Sequence, residues 1–299
     1  MKILKTVLAL MMFVTITTSC SKEEEPLTHD NYMEQNYTGC FQYIYKKNFN
    51  TGVLTNGTTY MFRWRADFTA DVYIKNAKFS AKMPNGVDIA IEGLKWKNID
   101  GVKKIAAKDV VPTKVTMNGK DVDVSAYVFD AINLDVFERR LMDAQLTYIP
   151  NINMSIEMGD VEVVTVQKQK VYFGSTGVTN NAAATNFTSN VPYYAVTLNP
   201  ETNKATINVF GAKFAEKMPL LNMKFDGISF NVSNLGYTLN CEELVPTIRE
   251  GEIDVPYPDY MITNLTGNAA FATGLNLQFN CMKVFTVQAN LGYAMPTNQ

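Results

Sequence analysis

The chain contains nearly the same eight residues twice, and this repetition constrains its fold more than any other feature. AKFSAKMP occupies residues 77–84, and AKFAEKMP occupies residues 212–219. Collinear matches this far apart predict two copies of a globular domain, because the repeats of solenoid proteins are shorter. The further matches, in the same order, pair Gly93 with Gly227, VPT at 111–113 with VPT at 245–247, AQLTYI at 144–149 with LNLQFN at 275–280, and VVTVQ at 163–167 with VFTVQ at 284–288.

Alternating patterns predict that both copies consist of β-strands. In TYMFRWR (59–65), aromatic residues alternate with Met and Arg, which places the two sets on opposite faces of a sheet. The apolar alternation changes parity at Gly93 and again at Gly227, and this predicts the same β-bulge or bend in both copies. Asn-Gly in MNGKD (117–121) predicts a hairpin turn. The one segment with helical spacing of apolar residues is 129–144.

The spacing of turn signals gives roughly eight strands in each half. Bent strands at equivalent places favour sheets that close on themselves. The predicted fold class is therefore all-β, with tandem duplicated antiparallel β-barrels or barrel-like sandwiches.

The first residues resemble an export signal. Lys2 and Lys5 precede an apolar run over residues 6–16 that is too short to span a bilayer. The residues TTSC at 17–20 resemble a bacterial lipobox, and SKEEEP (21–26) resembles the acidic signal that sends Bacteroidetes lipoproteins to the outer face of the outer membrane. A solvated charge run leading into a linker is the alternative interpretation of SKEEEP. The resemblance implies that Cys20 carries lipid, such as palmitate, and tethers the protein to the outer membrane facing the cell exterior.

These features predict four segments. A lipoprotein signal peptide covers residues 1–19, and an acylated polar tether covers residues 20–36. The first β domain covers residues 37–168, and the second covers residues 169–299. The boundary near QKQK (167–170) is too short for a free linker, so we expect the two domains to pack against each other.

Composition argues against several functions. The formal net charge is −2, which gives no reason to expect a nucleic-acid partner. The only histidine, His29, lies in the tether, so the body cannot build a Ser-His-Asp or Cys-His site, or a histidine-ligated zinc site. Neighbouring carboxylates at 121 and 123, or at 242 and 243, could serve acid–base chemistry, but carboxylates are common in turns and on the solvent face of strands. We expect no catalytic residue, no metal and no cofactor.

Three cysteines lie beyond Cys20. An exported protein can form disulfides, and Cys241 with Cys281 is the most plausible pair because both residues lie in the second copy. Cys40 would then keep a free thiol.

Several stretches resemble the calycin-like β-barrel lipoprotein domain of Bacteroidetes. The resemblance implies an eight-stranded antiparallel barrel or barrel-like sandwich in each half, and it supplies no catalytic residue. The residues that carry it are YTGCFQY (37–43), the hairpin at 60–79, the strands bent at Gly93 and Gly227, the crossings DVVPTKV (109–115) and ELVPTI (243–248), and the closing strands at 264–279 and 283–290.

Two groups of aromatic residues are candidates for ligand binding. VPYPDY (255–260) combines Tyr257, Tyr260 and Asp259 in a stiff loop that could stack on a sugar or an apolar ligand. Its alternative role is a connection that covers the barrel mouth. Trp64 and Trp96 could line a cavity, although inward aromatic residues more often fill a small barrel.

The repeated phrase contains two lysines in each copy, at 78 and 82 and at 213 and 217. We interpret the phrase as the end of a strand. Its phenylalanine would face the core, while its lysines would shield an outer edge.

Two functional hypotheses follow. In the first, the chain is a non-catalytic surface lipoprotein that binds a small apolar or glycan ligand. In the second, it is a structural or interaction protein, such as an accessory subunit of an outer-membrane complex or of an adhesive appendage.

Overall fold

The computed structural model describes residues 32–49, 51–137, 151–251, 253–271 and 273–293. The predicted signal peptide and Cys20 lie outside these ranges. Within them, the chain forms no helix of the length and hydrophobicity that a membrane span requires.

The first sheet closes into an antiparallel barrel of eight strands. Around the barrel the order is β1-β2-β3-β4-β5-β8-β9-β10, and β10 pairs with β1. A hairpin, β6–β7, pairs with β4, and a short 3₁₀ turn at Val124–Tyr127 follows it. The strands are β1 (Met33–Lys46), β2 (Gly52–Trp64), β3 (Thr69–Ala77), β4 (Val87–Ile99), β5 (Val102–Val110), β6 (Lys114–Met117), β7 (Lys120–Asp121), β8 (Phe129–Phe137), β9 (Asn151–Met158) and β10 (Val161–Val166).

The second sheet repeats this architecture. Around its barrel the order is β11-β13-β14-β15-β16-β19-β20-β21, and β21 pairs with β11. The hairpin β17–β18 pairs with β15, and a 3₁₀ turn at Pro258–Tyr260 follows it. The strands are β11 (Gln169–Asn180), β12 (Thr185–Ser189), β13 (Tyr193–Asn199), β14 (Lys204–Ala212), β15 (Leu221–Val232), β16 (Gly236–Leu244), β17 (Thr247–Glu250), β18 (Ile253–Pro256), β19 (Ile262–Ala270), β20 (Gly274–Cys281) and β21 (Phe285–Gly292).

The duplicated, all-β barrel fold is thus confirmed. The first sheet ends at Val166 and the second begins at Gln169. Strand β1 begins at Met33, so residues 33–36, which the sequence assigned to the tether, belong to the first barrel.

The predicted bulges lie where the parity of the apolar residues changes. Gly93 and Gly227 have positive φ angles of 73° and 78°, which glycine adopts without steric cost. At each glycine, two residues of the bulged strand lie opposite one residue of its neighbour, Asp71 in β3 or Thr206 in β14. The extra residue bends the strand and returns the following side chains to the core.

The repeated phrase belongs to the scaffold, but most of it lies in a turn. In each copy only its first residue ends a strand, and the rest forms the connection to β4 or β15. Phe79 and Phe214 are buried, and their backbone N–H groups each donate to a sulfur 3.3 Å away, that of Met83 or Met218. The lysines therefore lie on a loop rather than along a strand edge, which corrects that part of the interpretation.

The predicted helix over 129–144 is wrong in its described part. Residues 129–137 form β8, in which Ile132, Leu134 and Val136 are buried in every second position. Pairing with β5 and β9 on either side overrides the helical spacing. Residues 138–150, which include the match AQLTYI, lie outside the described residues. The strand that occupies the place of β20 in the first barrel is β9.

A side-chain amide joins the two barrels. Nδ2 of Asn151 in β9 donates to the carbonyl of Val171 in β11 at 2.6 Å, and the N–H of Val171 donates back to Oδ1 of Asn151 at 3.0 Å. Oε1 of Gln167 accepts from the N–H of Ile152 at 2.8 Å. Because Asn151 satisfies both backbone groups of Val171, it acts as a short piece of neighbouring strand.

Replacing Asn151 by Ala should destabilise the protein by roughly 2–4 kcal/mol, because it leaves the N–H and the carbonyl of Val171 without partners in a buried junction. Urea unfolding followed by circular dichroism would measure this change. Asn133→Ala, at an exposed position of β8, is the matched control and should cost less than about 0.5 kcal/mol. Equal stability of the Asn151→Ala variant and this control would contradict the role of the amide.

Candidate functional site

The two tryptophans proposed to line a cavity fill the core of the first barrel instead. Trp64 is 0% exposed and Trp96 is 8% exposed, and their ring centroids lie 5.5 Å apart in an edge-to-face arrangement. Both indole N–H groups have partners, Oε1 of Gln35 at 2.8 Å and the carbonyl of Thr69 at 3.1 Å. The ammonium of the buried Lys103 lies 5.2 Å from the centroid of the Trp64 ring and 5.8 Å from that of Trp96. Both tryptophans therefore pack within the filled core and line no open cavity.

The 255–260 loop lies over one end of the second barrel. Tyr257 and Tyr260 are half-buried against the second core, with their ring centroids 6.0 Å apart, and Asp259 is exposed. The hydroxyl of Tyr257 donates to the carboxylate of Glu250. The carbonyl of Tyr260 accepts from the thiol of Cys281 at 3.6 Å. Packing against the second core buries part of each ring, and the remainder of each ring is exposed.

Cys241 and Cys281 do not form a disulfide. Both are free thiols, and they lie on β16 and β20, which are separated by β19. Two strand spacings amount to about 10 Å, whereas a disulfide requires Cα atoms roughly 4.4–6.8 Å apart. Membership of the same copy was therefore too weak a reason to pair them. Burial raises the pKa of the Cys281 thiol to about 12.

Two of the neighbouring carboxylates considered for acid–base chemistry, Asp121 and Asp123, have structural partners. Asp121 forms a surface ion pair with Lys114 at 3.1 Å. Asp123 caps the 3₁₀ turn by accepting from the N–H of Ser125 at 2.9 Å. The described part of the chain brings together no group of three or more His, Cys, Asp or Glu side chains suited to a metal ion.

The site that the sequence did not indicate is a cleft between the two barrels. It has a volume of about 540 Å³, which is within the range of small-molecule pockets. Its floor is the outer face of the first barrel, formed by β5, β8, β9 and β10, and its wall comes from two turns of the second barrel. Its principal lining residues are Lys104, Ala106, Asn133, Asp135, Asn153, Ser155, Glu162, Val164, Leu235 and Phe271.

The floor of the cleft mixes polar side chains with the apolar Ala106 and Val164, and its wall combines the apolar Leu235 and Phe271 with Asn234. On the floor, Lys104 and Asp135 form an ion pair at 2.8 Å, and each side chain remains about one-third exposed. Leu235, which is 76% exposed, projects from the turn between β15 and β16, and Phe271 follows β19. A ligand with one apolar face and several hydrogen-bonding groups would match both surfaces.

A buried lysine lies behind the cleft. Nζ of Lys170 is 2.5 Å from Oδ1 of Asn153 and 3.4 Å from the hydroxyl of Tyr293, and it lies 5.9 Å from the centroid of the Phe271 ring. No carboxylate of the described residues forms an ion pair with it. Burial lowers the pKa of Lys170 to about 7, although nearby Cys40 opposes this shift.

The cleft residues could not be identified from sequence patterns. They come from strands and turns of both copies, and their convergence depends on how the barrels are joined. The one available signal was the short boundary at QKQK, which indicated contact between the copies but not its geometry.

Comparisons with protein-family models, with curated proteins and with solved structures find no match to this chain.

The free energy of unfolding should rise between pH 7 and about 8.5. In that range the Lys170 amine stays protonated in the unfolded chain, where its pKa is about 10.5. In the folded protein its pKa is about 7, so the amine loses its proton. The expected slope is up to about 1.4 kcal/mol per pH unit. Above this range, Cys40 and Cys281, whose pKa values burial raises to about 12, contribute the opposite slope.

Urea unfolding at pH 7.0, 7.5, 8.0 and 8.5 would measure the slope for the parent protein and for Lys170→Met. Met keeps the length and the apolar stem but cannot take up a proton. The variant should lose most of the slope, and identical slopes in the two proteins would show that Lys170 stays protonated in the folded state.

Proposed function

We propose that this protein is a non-catalytic binding protein that holds a small ligand in the cleft between its two barrels. The ligand would have one apolar face and several hydroxyl or amide groups, as a mono- or disaccharide has. The observation that carries the proposal is a concave site at a domain junction, where binding sites commonly occur, whose lining pairs a mostly polar floor with the apolar Leu235 and Phe271.

The filled barrel interiors support a site outside the barrels. Buried aliphatic and aromatic side chains fill the interior of each barrel, and the cluster of the second barrel extends across the junction to Phe41, Tyr43 and Tyr45 of the first. Small barrels of eight strands have an interior just wide enough for such side chains. An interior site of the lipocalin kind would require many of these residues to move.

The sequence supports a location for this activity. TTSC followed by SKEEEP resembles the acylation and export signals of Bacteroidetes lipoproteins. We propose that lipid on Cys20 tethers the barrels to the outer membrane, facing the exterior, where they meet ligands from the surroundings. An accessory role in an outer-membrane complex is the alternative, and it would place a protein rather than a small molecule over the cleft.

Filling the cleft with Ala106→Trp should abolish ligand binding without unfolding the protein, because Ala106 is exposed on β5. The measurement is a thermal-shift screen of neutral mono- and disaccharides and small amphipathic molecules. A ligand present at 100 times its Kd should stabilise the parent by about 2.7 kcal/mol. The Ala106→Trp variant should show no shift with the same ligand.

Ala126→Trp, an exposed Ala in the 3₁₀ turn of the first barrel, is the matched control and should respond like the parent. The cleft proposal is wrong if no member of the panel stabilises the parent, or if the hits stabilise Ala106→Trp equally.

Cys20→Ser should release the protein from the membrane, because the acylated residue is lost. Fractionation of cells that express each form would measure the partition, and protease added to intact cells would test exposure. The parent should be membrane-bound and shaved from intact cells. Protection of the parent until lysis would contradict the outward-facing location.

A further inference from the structure

The outside of the second barrel carries a broad uncharged surface. On β16, β19, β20, β21 and β11 the outward side chains align in rows across the sheet, and two of these rows contain only Asn, Gln, Ser, Thr and Gly, while the exposed Glu242 of β16 lies beyond them. One row contains Thr238, Asn268, Asn276, Asn290 and Ser175, and the next contains Asn240, Thr266, Gln278, Gln288 and Gly177.

The middle of this surface is concave. A shallow groove of about 570 Å³ lies over β19, β20 and β21. Strand β19 is irregular beside it, with a register shift between Thr263 and Thr266 and a positive φ of 52° at Asn264. We name the polar residues of the groove the amide face: Thr266, Asn268, Asn276, Gln278, Gln288 and Asn290.

The side chains of the amide face are exposed and have no hydrogen-bond partner among the described residues. In contrast, the adjoining row is internally bonded, since Asn181 donates to Thr286 at 3.0 Å and Thr286 donates to Asn280 at 3.1 Å. The donors and acceptors of the amide face are thus available to a ligand, whereas those of the neighbouring row stabilise the protein itself.

The absence of charge from the amide face is a property of the second copy alone. At the roughly 25–35% of charged residues recommended for a soluble protein surface, a face of six residues would carry about two. In the first barrel the strands in the corresponding places are β8, β9 and β10, and their outer faces hold Asp135, paired with Lys104, and Glu157, paired with Lys47. The duplicated scaffold therefore does not require an uncharged face at this place.

We propose that the amide face binds an extended neutral oligosaccharide. Each Asn or Gln amide presents a donor and an acceptor in one plane, a combination that matches adjacent hydroxyl groups on a sugar ring. Within a row, side chains on neighbouring strands lie about 4.8 Å apart, and successive rows lie about 6.8 Å apart along the strands, so such groups are offered repeatedly to a chain of sugars. This site is separate from the cleft and does not depend on a ligand there.

Charge and polarity select this occupant over others. The face has no cation for a phosphate, nucleic acid or acidic glycan, and no apolar patch for a lipid. A second copy of the chain could also pair amide with amide, and self-association is therefore measured in the same experiment.

The experiment is native gel electrophoresis of the full chain. The gels contain dextran, mannan, hydroxyethyl cellulose, xyloglucan or inulin, and polygalacturonate is the anionic comparison. At least one neutral polymer should retard the parent, and polygalacturonate should not. Gln278→Glu, which keeps the shape but replaces the amide donor by a negative charge, should weaken the apparent affinity about tenfold. Asn276→Ala, which removes one amide without adding charge, should weaken it a few-fold.

Asn56→Asp adds the same charge at an exposed position of the first barrel and should behave like the parent. Ala106→Trp, which fills the cleft, should also be retarded like the parent, so that failure of the cleft proposal and failure of this one are distinguishable. Thermal unfolding of every variant would verify that each is folded.

Three results would overturn the proposal. The first is the absence of retardation by every neutral polymer, and the second is equal retardation of the parent and Gln278→Glu. The third is concentration-dependent self-association, measured by sedimentation velocity, that Gln278→Glu abolishes, since the occupant would then be a second copy of the chain.

Discussion

The junction between the barrels combines two hydrogen bonds, between Asn151 and Val171, with a buried apolar contact. In that contact, outward side chains of β1 and β10, such as Phe41 and Tyr43, join the core of the second barrel. The cleft depends on the geometry of this junction. A flexible linker would leave the turns of the second barrel free to move away from the first. Here the amide of Asn151 satisfies both backbone groups of Val171 within a buried junction. The adjacent residue Lys170 extends to Asn153, which lines the cleft, so the junction and the candidate site share side chains.

Among the described residues Lys170 is buried without a carboxylate partner, which is unusual because an isolated ammonium loses its hydration when it is buried. The neutral amine is the form that this environment favours, and the polar atoms of Asn153 and Tyr293 surround it. Because the pKa of this amine differs between the folded and unfolded chains, the free energy of unfolding depends on pH.

Duplication explains how one chain acquired two different outer faces. Closing each sheet into a barrel constrains the core of each copy. The copies therefore keep equivalent core phenylalanines, Phe79 and Phe214, and equivalent bulges, at Gly93 and Gly227. The outer faces are free of that constraint. The first barrel uses its face to support the second barrel, whereas the corresponding strands of the second barrel carry exposed amides.

The sequence predicted the features that depend on local pattern. Alternation and turn residues were enough to infer the two copies, the strands, and the bulges at Gly93 and Gly227. They also indicated the turn at Asn118–Gly119, where both residues have positive φ. The segment at 129–137 was misassigned because its apolar residues also fit a helical period, and only its neighbours in the sheet select the strand. The cleft and the amide face could not be predicted, because both arise from the register of distant strands.

A crystal structure of the protein with its tightest-binding small ligand would locate the binding site. We expect ligand density in the cleft between Leu235 and Ser155, with hydrogen bonds to the polar side chains on the outer face of the first barrel. Density inside either barrel, in place of the aromatic cores, would contradict it.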